Sequence, residues 1–186
     1  MGKLEIQETP IEGLYVVRPE LFPDERGYFT ETYNRRDFMD AGLTMEFVQD
    51  NCSRSSVGVL RGLHYQKKHP QGKLVRACLG SVFDAVVDIR PGSATFGQWF
   101  GTELSEENGR QLYIPAGFAH GFCVLSPQAV FCYKTTDYYH PGDEGGIRWD
   151  DVSIGIYWPT KGPAPVLSEK DRLWPMFRDI FPEGRA

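Results

Sequence analysis

The chain has 186 residues, of which 41% are hydrophobic and 24% are charged, a composition typical of a soluble globular domain. Its net charge of −5 argues against a nucleic-acid-binding protein, because such proteins carry a basic face. No apolar run is long enough for a membrane span, and the first residues lack the apolar centre of a signal peptide. We therefore expect one domain over residues 1–186, with no nucleic-acid partner and no membrane partner.

The four cysteines, Cys52, Cys78, Cys123 and Cys132, form no Cys-x-x-Cys pair. Three of them lie in apolar, strand-like runs, which is typical of buried free thiols rather than of disulfides or metal ligands. Free thiols persist in a reducing compartment, so we expect a cytoplasmic protein.

Short apolar or alternating runs, separated by Gly, Pro, Asn and Ser, follow one another along most of the chain. They predict strands over Leu14–Val17, Tyr28–Tyr33, Phe47–Cys52, Leu74–Leu79, Ser81–Ile89, Phe96–Leu104, Gln111–Ile114, Ala119–Leu125 and Ala129–Thr136. One helix, Arg35–Ala41, is predicted after the N-cap residue Asn34 and ends at Gly42, and a second short helix follows Ser168. This pattern predicts an all-β antiparallel sandwich or barrel, with the proline-rich residues 160–186 wrapped around it.

The stretch Gly58–Lys73 begins like a strand and then concentrates polar side chains between glycines. His64 could move a proton near neutral pH, because the unperturbed pKa of histidine lies there. Arg61 and Lys73 could hold a phosphate or an enolate oxygen. A polar hairpin with a surface histidine explains the same residues, so this stretch alone leaves catalysis open.

Two histidine-bearing segments resemble the two sequence motifs of the cupin superfamily. The first ends in His64, and the second is Gly109–His120. Cupins often hold a metal between the two strands, but Gln66 stands where a second histidine ligand is expected, and Val124 stands where an asparagine is expected. Two imidazoles alone make a poor transition-metal site, so we expect a cupin pocket that uses no metal.

Nine segments from Asp24 onward keep a recognisable order and spacing over about 150 residues: Asp24–Phe29, Phe47–Asn51, Val59–Gln66, Gln71–Val75, Phe83–Arg90, Thr95–Trp99, Ile114–Phe122, Tyr133–Tyr139 and Leu167–Asp171. In these segments the sequence resembles the dTDP-4-dehydrorhamnose 3,5-epimerases, a family of metal-free cupins. The resemblance implies a cupin-type jelly roll with a few short peripheral helices and a homodimer. It also implies a dTDP-4-keto-6-deoxy sugar as substrate and no cofactor.

The resemblance further implies a catalytic set in which His64 is the base, Tyr133 is the acid on the opposite face, and Lys73 faces the enolate oxygen. Asp171 would orient His64 and stabilise its cation, although Ser168-x-x-Asp171 is also a helix-capping pattern. These residues suit a 4-keto sugar, because the C–H bonds at C3 and C5 flank the carbonyl and are acidic. The implied product of dTDP-4-dehydro-6-deoxy-D-glucose is dTDP-4-dehydro-L-rhamnose.

By the same resemblance, nine residues line the substrate site: Arg26, Glu31, Gln49, Asn51, Arg61, His120, Tyr139, Glu144 and Lys170. Tyr139 would stack on the thymine ring, and it shares strand parity with Tyr133 if the strand extends that far. Gln49 and Asn51 share parity as well, so they could present amides to one ligand. A rim aromatic explains Tyr139 without a ligand, and a hydrogen-bonded core histidine explains His120 equally well.

Three other functions remain open. The first is an epimerase that acts only at C3 or only at C5 of such a sugar, since the same catalytic residues serve either reaction. The second is a metal-dependent cupin enzyme, and the third is a nucleotide-sugar binder without catalysis.

Overall fold

The computed structural model describes residues 4–160 and 164–182. Within them the strands are β1 (Leu4–Glu8), β2 (Tyr15–Pro19), β3 (Leu21–Asp24), β4 (Gly27–Thr30), β5 (Gln49–Ser56), β6 (Leu60–Gln66), β7 (Lys73–Leu79), β8 (Ser81–Asp88), β9 (Trp99–Ser105), β10 (Gln111–Ile114), β11 (Phe118–Val124), β12 (Gln128–Thr135) and β13 (Glu144–Gly146). The helices are α1 (Arg35–Asp40), α2 (Glu169–Leu173) and α3 (Phe177–Ile180). None of these helices is long and apolar enough to cross a membrane.

Two antiparallel sheets face each other across a shared core. The six-stranded sheet has the order β1-β2-β10-β7-β12-β5, and the five-stranded sheet has the order β13-β6-β11-β8-β9. Apolar side chains from the facing sides, among them Val75, Leu112 and Phe131 opposite Val86 and Phe122, fill the space between them. Together with a few short helices in the described residues, this arrangement confirms the predicted all-β jelly-roll class.

The five-stranded sheet is buried on both faces. In β8, Val86 packs into the shared core, whereas Val87 packs on the outer face, in a cluster with Trp158 and Phe177 of the C-terminal part. A strand buried on both faces has an almost continuous apolar sequence, which residues Val82–Val87 of β8 show except at Asp84. The outer cluster thus ties the C-terminal part of the chain to the sheet.

Residues 164–182 contact this sheet at its edge and on its outer face. Val166 forms a parallel bridge with Val59, and its carbonyl oxygen accepts a hydrogen bond of 3.0 Å from the amide of Leu60. Parts of the predicted wrapping segment 160–186 lie outside the described residues. A single domain over residues 1–186 stays a prediction.

Both predicted helices form close to their predicted positions. The side chain of Asn34 caps α1 by accepting a 3.0 Å hydrogen bond from the amide of Arg36. The helix is followed by Gly42, whose φ of +84° lies in the left-handed region that favours glycine. The second helix, α2, begins directly after Ser168, as predicted.

The sequence pattern did not indicate β1, β3 or β13, and it placed several strand ends incorrectly. The predicted strand Tyr28–Tyr33 ends at Thr30, because β3 and β4 form a short hairpin outside the two sheets. The strand predicted to end at Cys52 continues to Ser56, since all of β5 pairs with β12. Polar residues in β5 hid this pairing from an analysis of apolar runs.

The four cysteines are free thiols, but only Cys123 is buried. Cys52 is exposed and lies opposite Cys132 in the pairing of β5 with β12. Neighbouring Phe131 points into the shared core, so Cys132 points to the outer side of the sheet. The expectation of a buried thiol is therefore wrong for Cys52.

Candidate active site

Polar side chains enter the space between the sheets from the six-stranded sheet. Val75 and Phe131 belong to the shared core. Because side chains two positions apart on a strand share a face, Lys73 on β7 and Tyr133 on β12 point into the same space. Tyr133 also packs directly against the core.

His64 enters this space from the five-stranded sheet. Its neighbours Leu63 and Tyr65 pack in the outer cluster, so His64 points inward. Just before it, β6 approaches β11 so closely that a Cβ on Gly62 would lie 2.5 Å from the Cα of Gly121. Gly62 also has a φ of +132°, and the β6–β11 register shifts at this point. Glycine is therefore required where the strand turns His64 inward.

Asp171 holds His64 by a hydrogen bond of 2.5 Å between Nε2 of the imidazole and Oδ1 of the carboxylate. The His64 side chain is 41% exposed, whereas that of Asp171 is 4% exposed. Burial raises the pKa of the Asp171 carboxyl, but the hydrogen bond and charge of His64 outweigh it and leave the pKa below its usual value. The side chain of Ser168 accepts a 3.1 Å hydrogen bond from the amide of Asp171. Asp171 is thus both a helix-capping partner and the partner of His64.

A second histidine–aspartate pair lies in the core beside the first. Oδ2 of Asp84 bonds to Nε2 of His120 at 2.8 Å, and both side chains are buried. Oδ1 of Asp84 has no hydrogen-bond partner within the described residues. Burial raises the pKa of Asp84 more than the nearby charges of His120 and Lys73 lower it. This geometry supports the interpretation of His120 as a core histidine, and its contact with a ligand stays a prediction.

Lys73 brings a positive charge to this interior space. Burial lowers the pKa of its ammonium group to about 8, and the carboxylate of Asp84 opposes that effect. Burial likewise lowers the pKa of His120, against the opposing effect of Asp84. At neutral pH, Lys73 is therefore mostly charged and His120 mostly neutral.

Tyr133 lies opposite Asn51 in the pairing of β12 with β5. Burial raises the pKa of its phenol, and the nearby charge of Arg61 opposes this effect. The guanidinium of Arg61 is oriented by a 3.0 Å hydrogen bond from Nε to the hydroxyl of Ser55. A protonated phenol and a cation therefore lie close together near the six-stranded sheet.

Gln49 and Asn51 share a face of β5, as predicted, and Nε2 of Gln49 donates a 2.9 Å hydrogen bond to Oδ1 of Asn51. The parity expectation for Tyr139 is wrong, because β12 ends at Thr135 and Tyr139 lies in the following loop. Its amide donates a 3.0 Å hydrogen bond to Oε1 of Gln49. A backbone contact, rather than strand alternation, brings Tyr139 to Gln49.

Glu144 and Lys170 form an ion pair between β13 and α2. Lys170 lies next to Asp171 in the sequence, and its ammonium group lies 5.3 Å from the ring centre of Trp174. Trp174 in turn packs edge-on against His64, with 6.2 Å between ring centres. These two predicted residues therefore lie beside the His64–Asp171 pair.

Arg26 and Glu31 are not brought to this group by their contacts within the described chain. Arg26 pairs with Asp24 at the turn of the β3–β4 hairpin. Glu31 accepts a 2.9 Å hydrogen bond from the side chain of Asn34, beside α1. Both residues lie in or next to the part of the chain that stands apart from the two sheets.

The donor groups do not fit the metal site of a cupin. His64 and His120 are direct register partners across β6 and β11, but each uses Nε2 to bond a carboxylate. The amide of Gln66 is used by backbone groups, and Val124 is apolar and buried. In residues 4–160 and 164–182, no group of three or more His, Cys, Asp or Glu side chains is arranged to hold a metal ion.

The sequence analysis did not single out Asp84 or Trp174. Asp84 carries a recognisable signal, because it is a lone carboxylate in the apolar run Val82–Val87. Carboxylates are rarely buried without a partner, so such a position indicates a functional or paired group. Trp174 carries no such signal, since its contact with His64 depends on how the C-terminal part folds back.

The family model described as dTDP-4-dehydrorhamnose 3,5-epimerase matches residues 8–179. The dTDP-4-dehydrorhamnose 3,5-epimerase of Pseudomonas aeruginosa is 57% identical over 170 residues, which cover 91% of this chain and 93% of that protein.

Two solved structures bear on the fold and the ligand. A crystal structure of dTDP-6-deoxy-D-glucose-3,5-epimerase from Legionella pneumophila, in complex with dTDP-4-keto-L-rhamnose, is 50% identical with a TM-score of 0.92. It covers 97% of this chain, and this chain covers 96% of it. A more distant 3′-monoepimerase from Streptomyces bikiniensis, in complex with dTDP-quinovose, is 30% identical with a TM-score of 0.88, covering 96% of this chain and 90% of that one.

Proposed function

The chain belongs to the dTDP-4-dehydrorhamnose 3,5-epimerase family and is an isomerase of that family, and we propose that it inverts both C3 and C5 of dTDP-4-dehydro-6-deoxy-D-glucose. The product is dTDP-4-dehydro-L-rhamnose. The observation that carries this proposal is the His64–Asp171 pair, which faces the same interior space as Lys73 and Tyr133. The chemistry needs no cofactor in this proposal, because each inversion only removes and returns a proton beside a carbonyl.

His64 is the proposed base. Its Nε2 bonds to Asp171, which leaves Nδ1 as the nitrogen that accepts the proton from the sugar carbon. Asp171 fixes the tautomer of the imidazole and stabilises the imidazolium that forms. The partial exposure of His64 gives a substrate access to this nitrogen.

Lys73 is the proposed partner of the enolate. Loss of the proton from carbon leaves negative charge on the ketone oxygen, and a fixed cation in a dry site stabilises that charge strongly. The pKa of about 8 keeps Lys73 charged at neutral pH and also lets it share its proton with the oxygen. The carboxylate of Asp84, which lies in the core, raises the pKa of Lys73 against the effect of burial and so favours its charged form.

Tyr133 is the proposed acid. It lies on the six-stranded sheet, whereas His64 lies on the five-stranded sheet, so the two groups approach the space between the sheets from opposite sides. His64 therefore removes a proton from one face of the carbon, and Tyr133 returns a proton to the opposite face. The configuration of the carbon is thereby inverted. The raised pKa of Tyr133 keeps its phenol protonated until then.

The nucleotide end of the substrate is proposed to bind at the remaining polar residues. Arg61 and Lys170 suit the diphosphate, because Arg and Lys bind phosphate oxygens well. Gln49 and Asn51 offer amides for the sugar or the base, and Tyr139 offers an exposed ring for stacking on thymine. Glu144 and His120 complete the proposed binding set.

A homodimer is proposed for the assembled enzyme. The β3–β4 hairpin exposes the large apolar side chains of Phe22, Tyr28 and Phe29, and exposed apolar groups that lie together often mark protein–protein interfaces. A partner that covers this hairpin would also bury its turn, where Arg26 lies, and Glu31 follows the hairpin in sequence. A dimer accounts for their distance from the His64 group, and sedimentation or light scattering measures it directly.

Deuterium uptake tests the reaction and the base together. The protein is given dTDP-4-dehydro-6-deoxy-D-glucose in heavy water, and C3 and C5 are followed by NMR. We expect label at both carbons and none with His64→Asn protein. Asp150→Asn, which removes a half-buried carboxylate that pairs with Arg148, is the matched control and retains the exchange.

The same experiment separates the alternatives. Label at one carbon alone indicates a mono-epimerase, which the similarity to the Streptomyces bikiniensis 3′-monoepimerase makes the second candidate. Bound substrate with no label at either carbon contradicts the enzymatic proposal and indicates a binding protein. Label that His64→Asn leaves unchanged contradicts the assignment of the base.

A further inference from the structure

The loop that joins β12 to β13, residues 136–143, presents two neighbouring tyrosines to solvent. The exposed fraction is 60% for Tyr138 and 49% for Tyr139. In the described part of the chain, the phenol of Tyr139 has no hydrogen-bond partner and its ring has no aromatic neighbour. The side chain of Tyr139 therefore does not hold itself in place, and its position depends on the backbone of the loop.

Two glutamines from separate elements hold the backbone on either side of Tyr138. Nε2 of Gln71, in the segment before β7, donates a 2.8 Å hydrogen bond to the carbonyl oxygen of Asp137. Oε1 of Gln49, the first residue of β5, accepts a 3.0 Å hydrogen bond from the amide of Tyr139. The loop is thus tied to the strands on both sides.

A third glutamine, Gln66, closes the arrangement from the other sheet. It is the last residue of β6, two positions after His64, and it is buried. Its Oε1 accepts from the amide of His140 at 2.8 Å. Its Nε2 donates to the carbonyl oxygens of Tyr138 at 3.3 Å and His69 at 2.8 Å. Both donors and one acceptor site of this carboxamide are used by backbone groups.

We propose that Gln49, Gln66 and Gln71, the glutamine clamp, are positioning residues that hold Tyr139 in place so that the nucleobase of the substrate stacks on its ring. This inference rests on the proposed function, because it assigns the nucleobase to Tyr139. It adds two residues, Gln66 and Gln71, that make no proposed contact with the substrate. It also gives Gln49 an internal task besides its predicted contact with the ligand.

Carboxamides suit this task for a physical reason. The four backbone groups along residues 137–140 comprise two carbonyl oxygens and two amides, so the clamp needs donors and acceptors together. A carboxylate only accepts and an ammonium only donates, whereas each glutamine supplies both. Fixing the loop before the ligand arrives removes the entropic cost of ordering it during binding.

Gln66 also links the position of His64 to the position of the loop that carries Tyr139. It lies on the same strand and face as His64, since two positions separate them. The base of the reaction and the anchor of the nucleobase loop are therefore fixed on one short piece of β6. A distance set in this way fits a substrate whose reacting sugar and nucleobase are joined by a diphosphate.

The affinity for dTDP, compared with the affinity for inorganic pyrophosphate, tests the proposal by calorimetry. Gln66→Glu keeps the acceptor for His140 but turns a carboxylate toward the carbonyl oxygens of Tyr138 and His69. We expect it to weaken dTDP binding about tenfold, the scale of one lost base–aromatic stack. Pyrophosphate binding stays unchanged, because it lacks the base. Gln98→Glu, at an exposed glutamine, is the matched control and leaves both affinities unchanged.

A double-mutant cycle with Tyr139→Ala separates positioning from general damage. If the clamp acts through Tyr139, Gln66→Glu adds little to the loss that Tyr139→Ala causes. Should Gln66→Glu fail to fold, Gln71→Leu, which removes one hydrogen bond at a half-buried residue, serves in its place with a smaller loss. Equal losses of dTDP and pyrophosphate affinity, or additive losses in the cycle, overturn the clamp.

The same data separate the clamp from the proposed function. If the wild-type protein binds no dTDP, the proposed function fails and the clamp fails with it. If dTDP binds and Tyr139→Ala weakens it while neither glutamine variant does, the function stands and the clamp is wrong. If Tyr139→Ala has no effect, the nucleobase lies elsewhere and the clamp is again wrong.

Discussion

Two histidine–aspartate pairs lie side by side in this protein, and they differ in what surrounds them. His64 and His120 are direct register partners on β6 and β11. Asp171 reaches His64 from a helix near the C-terminus, whereas Asp84 reaches His120 from the neighbouring strand β8. The side chain of His64 is 41% exposed, and that of His120 is 8% exposed.

Exposure, rather than residue type, distinguishes the two pairs and the tasks that we propose for them. An imidazole that exchanges a proton with a substrate needs a free nitrogen and an open approach, which His64 has. The buried pair instead places a carboxylate near Lys73, where the low dielectric makes its effect on a cation strong. In the proposed mechanism one pair therefore serves proton transfer, and the other serves the electrostatics of the enolate site.

The largest effect is expected at the exposed pair. Asp171→Asn keeps the shape of the side chain but removes the charge that fixes the tautomer and stabilises the cation of His64. We expect kcat/KM to fall about 10³-fold, measured as the rate of C3 and C5 exchange. The low pKa of Asp171 means that the wild-type carboxylate stays charged throughout the neutral range. A fall of less than about tenfold would show that His64 works without its partner.

A smaller, pH-dependent effect is expected at the buried pair. The Asp84 carboxylate raises the pKa of Lys73 against the effect of burial, so Asp84→Asn lowers that pKa below its value of about 8. The fraction of charged Lys73 then falls at a lower pH. We expect the alkaline limb of the pH–rate profile to move down by about one pH unit.

Lys73→Arg is the control for the pH profile. A guanidinium stays charged far above pH 8, so this variant loses the alkaline limb even if its rate is lower. An alkaline limb that persists in Lys73→Arg would show that the limb does not come from the titration of Lys73. A limb that does not move in Asp84→Asn would show that Asp84 does not control the pKa of Lys73.

The smallest effect is expected at the cap that supports the exposed pair. Ser168→Ala removes the side chain that accepts from the amide of Asp171, and Asn34→Ala removes the equivalent cap of α1. Each is expected to lower the free energy of unfolding by about 1 kcal/mol in urea titrations. Only Ser168→Ala should also slow exchange, because only α2 carries Asp171. Equal rates in the two variants would show that the cap does not position the carboxylate.

The sequence was informative about the groups that carry the chemistry and less so about their neighbours. His64, Lys73, Tyr133 and Asp171 were predicted by resemblance, and the structure directs three of them into one space and bonds the fourth to His64. Asp84 is recognisable in the sequence as a lone carboxylate in an apolar strand, but its partner is not, because His120 lies on another strand.

Alternation along a strand predicted faces only where the strand continues. It gave the shared face of Gln49 and Asn51 correctly, because β5 spans both residues. It failed for Tyr139, because β12 ends at Thr135. The ends of strands depend on pairing with neighbours that are distant in sequence, which a local pattern does not contain.

The sequence by itself determined the all-β class and both predicted helices, because these depend on local periodicity and capping residues. The family, and the jelly roll that it implies, followed from the resemblance of its ordered motifs. The tertiary structure decided which groups meet. The bonds of Asp171 to His64 and of Asp84 to His120 join residues 107 and 36 positions apart. Such contacts follow from the packing of the two sheets and from the way the C-terminal part of the chain folds back onto them. A local sequence pattern contains neither. The exposure of His64 and the burial of His120 follow from the same packing.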